Sequence, residues 1–198
     1  MEQFYIDEHK HYGRPVRATG PDCVKDPIDR TAEELACYDL LDELGIVYTR
    51  VDHSAADTIE ACHRVEQVLG WPICKNLFLC NRQKTQFYLL MLEGDKVFHT
   101  KDLSKQLEVS RLSFAGPDDL QEHLGLKPGS VTVLGLKNDK ENKVQLVMDK
   151  PIFEGAFVSC HPCISTSTLS LSTEDLLKKL LPAMGHEPIV VDLPEDEA

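Results

Sequence analysis

The hydrophobic pattern is plainest between Ile73 and Leu92. Ile73–Cys80 is an apolar run interrupted only at Lys75 and Asn76, and it predicts a buried strand. Asn81–Thr85 is polar enough for a hairpin turn, and Gln86–Leu92 returns as a second apolar strand. Upstream, Thr31 followed by Glu34 has the spacing of a helix cap. Leu35, Leu40, Leu41 and Leu44 then fall on one helical face, which Gly45 ends. Ile46–Val51 alternates as a strand. Asp57 or Thr58 is placed to cap a second helix through Ile59, Val65, Val68 and Leu69, with a stop at Gly70.

Downstream, short helices are expected at Asp102–Leu107 and Asp119–Leu124, and a short strand at Arg111–Phe114. Gly125–Gly129 reads as a tight turn. Ser130–Leu136 alternates as a strand, Asn138–Asn142 as a polar hairpin loop, and Val144–Met148 as the returning strand. Thr173 is expected to cap a helix whose face is Leu176, Leu177, Leu180 and Leu181, and Ile189–Leu193 forms a last strand. Strands outnumber helices and several are joined by tight turns. The fold class is therefore α+β (mixed α/β), a curled mixed β-sheet surrounded by helices. Residues 31–193 form the domain, between an irregular leader rich in Gly, Pro and His (residues 1–30) and an acidic tail at 194–198.

Composition narrows the function. The 198 residues suit one ordinary domain, with 42% hydrophobic residues for a core. No apolar run reaches the ~18–20 residues that a membrane span needs. The charged start, Met1–Lys10, lacks a signal peptide's apolar centre, so a cytoplasmic protein is expected. A net charge of −12 argues against DNA or bulk duplex binding while leaving local contact with one end of an RNA open. In a reducing compartment most of the seven cysteines should be free.

Chemistry concentrates in Ser159–Ser172, which carries Cys160, His161, Cys163 and seven hydroxyl side chains. Such a run lines a polar pocket, binds a metal, or is a strand with a wet face. The Cys160-His161-Pro162-Cys163 spacing lacks the second ligand pair of a structural zinc site. It also lacks the helix that follows a redox-active pair, so half-buried thiols are the plainer account. His161 is a candidate functional residue beside the rigidifying Pro162. Lys75 stands out more. A lysine inside an apolar strand must reach solvent, pair, or face an anion.

Four ordered segments carry a resemblance: Ile73–Leu79, Arg111–Ala115, Leu124–Thr132, and His161-Pro162 through Thr168. Together the chain resembles the YbaK/ProX family, freestanding relatives of the editing domain of bacterial prolyl-tRNA synthetases, over Thr31–Leu193. It is most similar to the ProX (PrdX-like) branch. The resemblance implies hydrolysis of mischarged Ala-tRNA(Pro) in trans, with Cys-tRNA(Pro) deacylation of the YbaK type as the alternative. It implies catalytic roles for Lys75 and His161, and substrate contacts from Asn76, Cys160, Pro162, Ser165 and Thr166. No cofactor or metal is implied. The implied partner is the acceptor end of a tRNA for proline, with prolyl-tRNA synthetase or an elongation factor alongside. Ser165 departs from the asparagine common in the family, which bears on which amino acid is held.

On this reading Lys75 grips the phosphate or ribose end of the substrate, and backbone amides near Cys160 and His161 orient the carbonyl. His161 positions the amino acid or the water, the ribose hydroxyl assists, and Cys160 and Cys163 are small wall residues. The hydroxyl run and Lys75-Asn76 form facing walls. Two other classes stay open: a non-catalytic amino-acid or tRNA-binding module with the same fold, and a zinc module.

Overall fold

The computed structural model describes residues 5–7, 9–15, 30–55 and 59–195. Its strands are β1 (His11–Tyr12), β2 (Tyr48–Asp52), β3 (Cys74–Cys80), β4 (Phe87–Glu93), β5 (Ser113–Phe114), β6 (Val144–Asp149), β7 (Phe157–Cys160), β8 (Ser167–Ser172) and β9 (Ile189–Val191). They form two sheets, ordered β1-β2-β8-β7 and β5-β3-β4-β6-β9. The first is antiparallel throughout. The second is mixed, because β4, β6 and β9 run parallel. The α+β class holds, but the one curled sheet is two sheets, joined by a parallel bridge between Ile73 and Ser159.

The apolar runs of β3 and β4 follow from burial on both faces. Phe87, Leu89 and Met91 enter the main core, while Tyr88, Leu90 and Leu92 enter a second cluster with Leu103, Leu112 and Val147. The main core also takes α1 (Ala32–Glu43), and Thr31 caps this helix by accepting from Glu34 N–H at 3.1 Å. The buried face of α1 is Glu34, Cys37, Tyr38 and Leu41; Leu35, Leu40 and Leu44 pack at its rim. Glu34 turns inward because Arg30 and Tyr38 both donate to its carboxylate, at 2.7 and 2.8 Å. Gly45 ends the helix in the left-handed region at φ 61°.

The expected strand Ser130–Leu136 and its hairpin do not form. Val133–Asn138 is a 3-10 helix, capped by Thr132 Oγ1 accepting from Leu134 N–H at 3.4 Å. Val133, Leu134 and Leu136 are all fully buried, so this apolar run has no exposed face to betray its period. A side chain at Gly135 would meet Leu126 Cδ1 at 2.6 Å, which lets the turn pack against the Gly125–Gly129 segment. β6 then pairs with β4 in parallel, so Val144 starts a crossover strand and not a hairpin return.

The remaining helices are α2 (Ile59–Leu69), α3 (Thr100–Gln106), α4 (Pro117–Leu124), α5 (Lys150–Glu154), α6 (Thr173–Asp175) and α7 (Leu181–Met184), with a π-helical turn at Leu176–Leu180 between the last two. Ser172, not Thr173, caps α6, its Oγ accepting from Asp175 N–H at 3.0 Å. Within the leader, His11–Tyr12 adds an edge strand and Ile6 bridges to His53. The expected cap at Asp57 or Thr58, residues 16–29 and residues 196–198 lie outside the described residues. Among the described residues, no helix is long and apolar enough to cross a membrane.

Candidate active site

The bridge between the two sheets organises the site. Ile73 and Ser159 pair in parallel, so Lys75 and His161 each lie two residues beyond the same pairing point. Lys75 is half-buried on β3, and its Nζ donates to the carbonyl of Lys96 at 2.8 Å. It has no carboxylate partner among the described residues. An ammonium so placed keeps donors for a ligand, and its charge favours an anionic one. Its neighbour Asn76 donates from Nδ2 to Cys74 O at 3.1 Å, and the buried Oδ1 of Asn76 accepts no hydrogen bond from the described residues.

His161 opens the loop that joins β7 to β8. Its Nδ1 lies 2.9 Å from the carbonyl of Ser167 and 3.4 Å from Thr168 Oγ1. A carbonyl only accepts, so Nδ1 carries the proton and Nε2 holds the lone pair. The same reasoning applies to His53, whose Nδ1 faces the carbonyl of Ser54 at 2.7 Å. Its Nε2 therefore accepts from the Thr168 hydroxyl at 2.8 Å. The donors run in one direction: His161 Nδ1–H to Thr168, Thr168 O–H to His53, His53 Nδ1–H to Ser54. The two rings lie 6.2 Å apart, tilted by 51°. Burial pushes both imidazoles below the ordinary histidine range, which keeps them neutral.

Beyond His161 the loop turns onto a cavity of about 460 Å³, lined by Cys163, Ile164 and Ser165 on one side and by Gly125–Pro128 and Ser130 on another. Thr31, Glu33 and Gln121 complete its rim. The turn read as a mere punctuation mark thus forms part of a pocket. Gly125, in the left-handed region at φ 65°, ends α4 there.

The expected residues separate into groups. Lys75 and His161 each lie two residues past the Ile73–Ser159 bridge and neither lines the cavity, Ser165 and Cys163 do line it, and Thr166 is half-buried at the loop's end. Pro162 and Cys160 are buried, Cys160 completely, so Cys160 is core and not pocket wall. The hydroxyl run also faces inward. Ser167, Thr168 and Ser170 are buried because β8 lies between β2 and β7, and Ser159 is buried at the bridge to Ile73. Only the loop 161–166 is left to act as a wall. His53 and Thr168 were not singled out by sequence; a lone histidine 115 positions from its hydroxyl partner gives no local signal. Among the described residues no three His, Cys, Asp or Glu side chains come together as a metal-ligand set.

Residues 53–179 match the family model described as the aminoacyl-tRNA editing domain. The chain is 35% identical over 153 residues to the prolyl-tRNA editing protein ProX of Acetoanaerobium sticklandii, covering 77% of this chain and 93% of that one. It is 34% identical over 156 residues to the prolyl-tRNA synthetase associated domain-containing protein 1 of Mus musculus, covering 77% and 91%. In fold it matches a solved structure proposed to be a trans-editing enzyme for prolyl tRNA synthetase, with a TM-score of 0.62, 16% identity, and coverage of 84% and 99%.

Proposed function

The chain belongs to the aminoacyl-tRNA editing domain family, and from that premise we propose that it deacylates mischarged Ala-tRNA(Pro) in trans, with Lys75 and His161 as its catalytic residues. The supporting observation is the junction itself: a lysine that is half-buried and has no carboxylate partner among the described residues, set two residues past the same bridge as a neutral histidine whose Nε2 has no partner among them.

Hydrolysis of an aminoacyl ester needs a positioned water and a stabilised oxyanion. In the proposed reaction the neutral Nε2 of His161 accepts a hydrogen bond from the attacking water and holds it over the ester carbonyl. Water adds to the carbonyl carbon, the ester C–O bond breaks, and the ribose oxygen leaves with the proton. Lys75 binds the terminal phosphate or ribose as a compact cation. Asn76 Oδ1, buried and without a donor among the described residues, is available to a donor on the substrate, such as the α-ammonium group.

Ser165 and the Gly125–Ser130 turn hold the small side chain in the cavity they share. At about 460 Å³ the cavity as a whole has room for either side chain, so we assign the selection to the shape of its wall at Ser165 and not to its total volume. One methylene is worth only ~1–3 kcal/mol in a binding pocket, which is why a second sieve is useful. The tRNA acceptor end is the proposed partner in the cytoplasm, met alongside prolyl-tRNA synthetase or an elongation factor. The acidic chain, at −12, makes an extended RNA contact unfavourable.

The test is deacylation of alanyl-, cysteinyl- and seryl-tRNA(Pro) by the wild type, Lys75→Ala and His161→Ala. Loss of ester only with the wild type, and fastest with alanine, is the expected result. Preference for cysteine would replace the amino acid and keep the reaction. No hydrolysis above background of any of the three would sink the reading.

A further inference from the structure

Cys163 sits in a three-residue cluster for which deacylation has no use. Its Sγ lies 3.4 Å from the Sγ of Cys37 on α1 and 3.2 Å from Nζ of Lys137, at the end of the 3-10 helix. An ammonium can only donate, so Lys137 makes the Cys163 sulfur an acceptor. Cys37 donates to the same sulfur and also lies 3.3 Å from the carbonyl of Glu33. The single Cys37 proton is shared between that sulfur and the Glu33 carbonyl, and the Lys137 ammonium at 3.2 Å favours the thiolate form of Cys163. The Cys37 hydrogen bond and the Lys137 charge hold the Cys163 thiol below its ordinary range, against burial and the Glu33 carboxylate. Bonding to Cys163, and then burial, push the Cys37 thiol up.

The two sulfurs differ in access as well. Cys37 is completely buried, whereas Cys163 is half-buried and lines the 460 Å³ cavity. Cys163 also holds a left-handed backbone at φ 62°, uncommon for a residue with a side chain. The nucleophilic thiol beside the Lys137 ammonium thus faces the cavity, and a protonated thiol waits behind it. That is the arrangement of an oxidant-reactive cysteine with a resolving partner.

We propose that Cys163 and Cys37 form a peroxide-sensitive thiol pair, Cys163 being oxidised first and Cys37 resolving it to a disulfide that ties α1 to the loop of His161 and Ser165. The Cys163 thiolate attacks hydrogen peroxide: an S–O bond forms, the O–O bond breaks, and hydroxide leaves to take up a proton as water. Cys37 then loses its proton and attacks the Cys163 sulfenic acid; the S–S bond forms, the S–O bond breaks, and a second water leaves. Two thiols lose two electrons and the peroxide gains them. Closing 3.4 Å to the ~2.05 Å of a disulfide draws the loop toward α1 and removes the anionic partner of Lys137. The thiol chemistry is independent of the deacylase reading; its effect on deacylation rests on that reading.

The test treats the full chain with hydrogen peroxide, blocks the remaining thiols, digests without reductant and weighs the peptides. A Cys37–Cys163 cross-link that dithiothreitol removes, and that neither Cys37→Ser nor Cys163→Ser forms, is the expected result. In the untreated protein, Lys137→Met should slow alkylation of Cys163 at neutral pH by about threefold or more, because the cation that favours its thiolate is gone while the Cys37 contact stays. A Cys160–Cys163 link, irreversible oxidation of Cys163 without a link to Cys37, or no reaction overturns the pair. Deacylation should fall on cross-linking and return with dithiothreitol. Activity that is unchanged by a formed cross-link overturns the coupling to the site. A reduced protein without deacylase activity counts against the function, while the peptide masses still decide the thiol pair.

Discussion

His161 donates its Nδ1 proton to the carbonyl of Ser167 across 2.9 Å, and this contact decides which ring nitrogen is left for chemistry. An asparagine at 161 can keep the donor to Ser167 but has no counterpart to Nε2. His161→Asn should therefore fold with a melting temperature near that of the wild type. Its single-turnover deacylation rate should fall about 100-fold or more, the usual scale for a lost acid–base or water-positioning group. Because burial lowers the His161 pKa below 6.5, the neutral ring persists through neutral pH. The wild-type rate should stay level as pH falls to that value and drop only below it, where protonation removes the Nε2 acceptor.

Thr168 tests whether the orientation of that ring matters. Its hydroxyl sits between the two histidines, accepting from His161 and donating to His53 at 2.8 Å. Thr168→Val keeps the shape and removes the link. The expected outcome is a kcat reduced by about tenfold with KM little changed, since a misaligned acceptor weakens the transition state and not substrate binding. Thr168→Ser should restore most of the rate. A purely structural role would move the melting temperature and leave the Ser variant no better than Val in kcat.

The two lysines near the second sheet should separate function from stability. Among the described residues Lys75 has one backbone acceptor and no carboxylate partner, so Lys75→Met should abolish deacylation while leaving the fold intact. Lys96 is the opposite case. Its Nζ is buried between Asp149 and the carbonyl of Leu193, each at 2.7 Å. Lys96→Met strands the Asp149 carboxylate in the core and should cost about 3–5 kcal/mol. Urea unfolding of the two variants beside the wild type reads the difference directly.

Much of this was legible in the chain. Lys75 announced itself because a charge in an apolar strand violates the pattern around it, and the strand was found where it was expected. His161 was visible through its proline and its hydroxyl-rich surroundings. Those hydroxyls misled, however, because polarity alone does not reveal that β8 is paired on both edges and buried. Ser130–Leu136 misled for a related reason: its alternation of Ser130 and Thr132 with valines reads as a strand, but both hydroxyl residues are buried and Thr132 caps a 3-10 turn. The Cys163–Lys137–Cys37 cluster joins residues from three elements, and only tertiary packing brings them within reach.

The acid side of the stability curve should be set in part by Asp52. Its carboxylate takes both Nη atoms of Arg30 at 2.7 Å and a further hydrogen bond from Arg50 Nη1. Burial works to raise its pKa, but the hydrogen bond from Arg30 and the charges of Arg50 and Arg30 outweigh it and hold the carboxyl below 3.8. A group whose folded pKa lies below its unfolded one stabilises the fold above the unfolded value, and that stabilisation fades as pH falls through the folded pKa. Asp52→Asn removes the anion and leaves the two guanidinium groups facing each other. It should cost about 3–5 kcal/mol at neutral pH, as for one partner lost from a buried ion pair. The difference between variant and wild type should stay constant down to mildly acidic pH and shrink below 3.8, where the wild-type carboxylate also becomes protonated. Urea midpoints across that range measure it. A difference that does not narrow in acid would mean that Asp52 contributes through packing and not through its charge.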